Sequence, residues 1–162
     1  MAFILGSPRD QDRGQAFREY ERYLHAHRER FPPSAWALAT ADWYFNFQDH
    51  RCPHDAWLES VSISEPATGT RREVRTCQLT VRLLGAFHDG SIEFHYPDVR
   101  SYRLEMPDVG KGHGDWHYDE FRVDDEGLLI HEIEWAGGNG SWLIKASDVH
   151  FRWMPTVRQA SE

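Results

Sequence analysis

Apolar and polar side chains alternate one by one through Ser91-Ile92-Glu93-Phe94-His95-Tyr96 and again through Ile130-His131-Glu132-Ile133-Glu134-Trp135. That is the period of a strand with one face in a core and the other in water. Such runs recur over residues 57–153. Between them stand turn-forming groups such as Pro66-Ala67-Thr68-Gly69, His88-Asp89-Gly90, Asp124-Asp125-Glu126-Gly127 and Asn139-Gly140. The pattern predicts about eight strands, and connections this short cannot carry parallel crossovers, so the pairing is mostly antiparallel. Over 72–84, Cys77, Leu79, Val81 and Leu83 keep one register while Val74 falls out of it, which predicts a bulge near Arg75 or Thr76 and a bend there.

The period changes upstream. Phe17, Tyr20, Leu24 and Phe31 recur near helical spacing, Ser7 is placed to cap and Pro8 to open the first turn, and Pro32-Pro33 stops the run. These signals predict one N-terminal helix over 7–31 that docks a face on the sheet. A short second helix is expected over 34–41 with Ser34 as its cap, while the aromatics of 42–47 suit a strand without showing its alternation. The fold class is therefore α+β, mainly β, in a single domain over 1–162. The sheet is expected as a strongly curved meander, barrel-like or two-layered, with the N-terminal helix packed on it.

Composition narrows the partners. Lys and Arg number 18 against 26 Asp and Glu, a formal charge of -8, which speaks against nucleic acid and anionic membrane surfaces and favours a cationic partner. Two cysteines make no disulfide framework, Met1-Ala2-Phe3-Ile4-Leu5 is short for a signal core and no apolar run reaches membrane-spanning length, so the expected setting is cytoplasmic. Seven Trp, six Tyr and nine Phe supply more aromatic bulk than a core requires, leaving some for a binding surface.

Three groups of residues carry candidate chemistry. His50, Cys52 and His54 lie within Asp49-His50-Arg51-Cys52-Pro53-His54-Asp55 and offer imidazole and thiolate to zinc or another transition metal, although their spacing matches no structural zinc pattern. His113, His117, His131 and Glu132, with Asp115, Glu120 and Glu134, form a second group, suited to a metal or to an acid–base pair across a hairpin. Alternation also places His131 with Leu129, Ile133 and Trp135, where a core histidine held by a hydrogen bond is the plainer reading. The third group is a binding surface built from Trp36, Trp43, Trp116 and Trp142 with an acidic rim of Asp115, Asp119 and Glu120. The Ser and Gly motifs of nucleophilic or phosphate-binding sites are missing, and no resident cofactor is implied.

The segments His50-Arg51-Cys52-Pro53-His54-Asp55-Ala56-Trp57 and Gly127-Leu128-Leu129-Ile130-His131-Glu132-Ile133-Glu134-Trp135 resemble those of compact, uncharacterised β-rich bacterial domains, some of which are immunity proteins of toxin systems. The resemblance implies no catalytic residue. It implies stoichiometric binding, so the leading expectation is a non-enzymatic binding protein that neutralises a basic toxin. A β barrel or cup binding a small molecule and a metal-dependent enzyme are the alternatives, and a free sheet edge would let two copies pair.

Overall fold

In the computed structural model, which describes residues 1–107, 110, 112–138 and 140–157, the period-two half of the chain becomes ten strands. They are β1 (Trp57–Ser64), β2 (Ala67–Thr68), β3 (Val74–Arg75), β4 (Gln78–Leu84), β5 (Gly90–Tyr96), β6 (Val99–Leu104), β7 (Trp116–Val123), β8 (Leu129–Trp135), β9 (Ser141–Ala146) and β10 (His150–Pro155). All pairings are antiparallel. One sheet has the order β1-β4-β5-β10 and the other β6-β9-β8-β7, with β2 and β3 as a separate two-stranded ribbon. The last strand returns beside β5, so the topology is two-layered and departs from a simple meander. No closed barrel forms among the described residues, and a single bridge between Trp57 and Asp115 ties one sheet to the other.

The chain passes between layers at Pro97-Asp98, where Asp98 takes a left-handed φ of 46° that a short polar side chain tolerates. The strand expected over 72–84 is broken at Thr76 and Cys77. Its first part joins the β2–β3 ribbon, and the carbonyl of Cys77 accepts from the Val99 amide at 2.8 Å. The register shifts fall elsewhere, at Leu58/Ser60, Val99/Ser101 and Trp116/Tyr118. Of the expected turns, Asn139 lies outside the described residues, as do Asp108, Val109 and Lys111 of the glycine-bearing loop.

Inner faces follow the alternation. Leu79, Val81, Leu83, Ile92, Phe94 and Tyr96 meet Phe121, Leu129, Ile133, Trp135, Trp142 and Ile144 in one core. Phe94 stacks on Trp116 across the layers at 5.2 Å with an interplanar angle of 5°. Each buried indole removes about 150–250 Å² from water, worth roughly 4–6 kcal/mol of transfer free energy at about 25 cal/mol/Å².

The N-terminal helix is two helices, α1 (Ser7–Gln11) and α2 (Arg13–Ala26), followed by a single 3-10 turn and α3 (Pro33–Ala39). Asp12 causes the break. It is extended, and its carboxylate accepts from the Gln15 amide at 2.9 Å, capping α2. Ser7 is the first residue of α1 and not its cap, a place taken by Gly6 at φ 63°. Pro33 opens α3 instead of only ending its predecessor, and Ser34 lies inside that helix. The orphan amide of Ala35 is met at 3.0 Å by Asp148, a cap from a distant loop. Residues 42–47 form successive turns, not a strand, and carry Tyr44 into the core. No helix among the described residues is long and apolar enough to cross a membrane.

Candidate functional site

The sequence concentrates its candidate chemistry on β7 and β8, and there the structure builds a closed polar network. The register shift at Trp116/Tyr118 turns Asp119 inward, in phase with Phe121 and Val123. The His131 ring lies between two partners, with Nδ1 2.7 Å from the Tyr96 hydroxyl and Nε2 2.7 Å from Asp119 Oδ2. Asp119 also accepts from the Tyr44 hydroxyl at 2.5 Å and the Trp116 indole at 3.0 Å. Burial, reinforced by the Asp119 charge, holds the Tyr44 and Tyr96 phenols well above their ordinary range, so both remain protonated donors.

A carboxylate orienting an imidazole is the arrangement of a general base. Here the ring is fully buried and stacks on Phe121 at 4.1 Å, and its second nitrogen is engaged by Tyr96. The adjoining space beside Tyr44, Cys52, His54, Tyr118 and Asp119 has no room for a water-sized molecule. What the network does chemically is satisfy five polar groups that the core would otherwise leave unpaired.

Glu120 points the other way from Asp119 and is equally buried. It accepts from the amides of Phe3 at 3.0 Å and Ile4 at 2.9 Å, and from Arg122 at 2.6 Å. Burial pushes its carboxyl up, and those amides and the guanidinium pull it part of the way back. Arg122 also pairs with Glu132, so the strand-paired Glu120 and Glu132 share one cation. Next along β8, Glu134 accepts from the Gly6 amide at 2.9 Å, from Arg9 at 2.8 Å, and lies 3.1 Å from His117 Nδ1. These carboxylates strap the first residues of the chain across the sheet.

The binding surface expected from the sequence is therefore redistributed. Asp119 and Glu120 are not a rim but interior groups, and Trp116 and Trp142 are core residues. Trp36 packs half-buried by Phe31 and His25, Trp43 stands 4.8 Å from Phe151 with Arg51 over its ring, and His113 is wedged against Trp135 and Trp142, where burial lowers its pKa. Asp115 remains at the surface bridge to Trp57.

His50, Cys52 and His54 face three different environments. His50 stacks on Phe87 at 4.1 Å and pairs with Asp89. The Cys52 thiol donates to the Tyr44 carbonyl at 2.9 Å, and burial pushes its pKa up to about 12. His54 stacks on Phe47 at 3.9 Å with Nδ1 toward the His117 carbonyl. No group of three or more His, Cys, Asp or Glu is arranged to hold a metal among the described residues.

Trp57, Phe87, His88 and Asp89 fall outside the three groups of candidate chemistry. Trp57 is 51% exposed and meets His88 edge-on at 4.7 Å, while Phe87 is 45% exposed beneath His50. In the sequence Trp57 was accounted for as a strand start and His88 and Asp89 as a turn, while Phe87 carried no assignment. The available signal was two bulky aromatics beside aspartates at the tips of elements, where burial is hardest to achieve. A concavity of about 480 Å³ lies between α2 and residues 39–45. No protein-family model, curated protein or solved structure matches this chain.

Proposed function

We propose that this protein is a non-enzymatic binding protein whose partner is a basic protein, with neutralisation of a toxin as the biological form of that binding. The observation that carries the reading is the division of its polar and aromatic groups. His131, Asp119 and Glu120 are consumed by internal hydrogen bonds, while Trp57 and Phe87 remain half-exposed on a chain of net charge -8. Exposed aromatics give an interface its anchors, and an acidic surface gives it attraction for a cationic partner.

Co-expression with the product of the neighbouring gene tests this. Stoichiometric copurification together with rescue of growth is the expected result, and the absence of both overturns it. A second reading, small-ligand binding, draws support from the concavity lined by Phe17, Tyr20, Leu24 and Phe45, with Arg18 and Asp42 among its polar members. A ligand there would raise the unfolding temperature in proportion to the logarithm of its concentration.

A further inference from the structure

Around the β4–β5 hairpin the exposed groups form an unbroken chain of contacts. The half-buried Asp115 bridges to Trp57 through the backbone, the Trp57 ring meets His88, and His88 adjoins Phe87, which stacks under His50, itself paired with Asp89. The aspartate side chains at its margins stand open to solvent, Asp55 by 63% and Asp89 by 40%. The exposed part of Asp89 is Oδ2, which meets His50, while Oδ1 is shielded from solvent and has no hydrogen-bond partner among the described residues. Arg51, the nearby cation, is already held by Asp49 at 2.9 Å.

The geometry points to this patch as the docking surface, and to a partner that presents arginine side chains to it. The inference rests on the binding-protein reading above and gives it a place and a chemistry. Two half-exposed rings between aspartates match a guanidinium on both counts, because it stacks on aromatic faces and forks onto carboxylates. An apolar partner would take the exposed Asp55 carboxylate out of water with only His54 at 3.6 Å to offset its charge, and an acidic one would meet like charge. A lysine-bearing surface would gain the charge but less of the stacking.

The test uses a deca-arginine peptide as the probe, with deca-lysine and deca-glutamate beside it, followed by backbone and indole NMR. The expected result is saturable binding of deca-arginine, with shifts confined to Trp57, Phe87, His88, Asp89 and Asp115. Deca-lysine should bind more weakly and deca-glutamate not at all. Trp57→Ala, and separately the shape-conserving set Asp55→Asn, Asp89→Asn and Asp115→Asn, should each weaken deca-arginine binding by about tenfold. Glu93→Gln, on the outer face of the first sheet beside Arg152, should leave it unchanged. Binding that shifts other residues, binding insensitive to these substitutions, or no binding overturns the surface assignment. The broader reading is judged by copurification and rescue, so the two fail separately.

Discussion

β7 and β1 are both marginal strands of their sheets, yet one has been sealed and the other left open. Along β7 the unpaired backbone is met by two tyrosines one helical turn apart on α2. The Tyr20 hydroxyl takes the Phe121 amide at 2.6 Å and gives to its carbonyl at 3.0 Å, and Tyr23 receives the Val123 amide at 3.0 Å. The i, i+3 spacing of a helix thus matches alternate residues on a strand edge. β1 is bridged at its start by Asp115, and beyond Trp57 no comparable hydroxyl cover reaches it among the described residues. Nearly all of it is exposed, including Ile63 at its far end, and it leads into the equally exposed β2–β3 ribbon. Edge protection in this protein is a property of what the N-terminal helices cover, not of the strand sequences alone.

The largest effect expected on the sealed side comes from Asp119→Ala. It leaves His131, Tyr44 and Trp116 without a shared acceptor inside the core and should cost about 3–5 kcal/mol. For a chain of this size that lowers the melting temperature by roughly 6–20 °C, and a change within error would show that the network contributes little.

Tyr20→Phe keeps the ring and removes both edge bonds. A loss of about 1–3 kcal/mol is expected, with faster amide hydrogen exchange localised to Phe121. Uniform exchange along β7 would mean that the hydroxyl does not seal the edge.

Alkali should act on the sealed side as well. The Cys52 thiol is pushed by burial from an ordinary 9.0 to about 12, so the folded state retains a proton that the unfolded chain gives up. Its contribution to stability is fully present below pH 9.0 and is lost as pH rises toward about 12, at about 1.4 kcal/mol per pH unit. Tyr20, Tyr44 and Tyr96 are raised in the same direction and steepen the fall above pH 10. Denaturation midpoints measured from pH 8 to 11 should show a shallower slope for Cys52→Ala than for the parent protein, and equal slopes would refute the assignment.

The smallest effect belongs to the open side. Ile63→Ser and Val74→Thr alter side chains that are 43% and 47% exposed, and each should change stability by no more than about 0.5 kcal/mol. A larger loss by chemical denaturation would mean that this arm is covered in solution, by a second copy or a partner.

Period-two alternation was enough to place His131 with Leu129, Ile133 and Trp135 in the core. It fell short at Asp119. A strand read from Trp116 has Tyr118 and Glu120 in phase with the core, and only the register shift brings Asp119 in. The parity of Asp119 with Phe121 and Val123 was present in the sequence but conflicted with that of Trp116. Glu120 was illegible for another reason, since its burial depends on residues more than a hundred positions away folding back over it.

Local steric and hydrogen-bonding rules act over a few residues, so the sequence by itself determined the mainly antiparallel strand content and the inward faces of β4, β5 and β8. Layering was settled only in three dimensions, because nothing local to residues 150–155 says that they pair with β5 instead of extending a meander. The same holds for which acidic groups face water. A carboxylate beside an aromatic reads alike in sequence whether it is Asp119 or Asp89, and only the packing of distant segments buries the first among three donors and leaves the second at the surface.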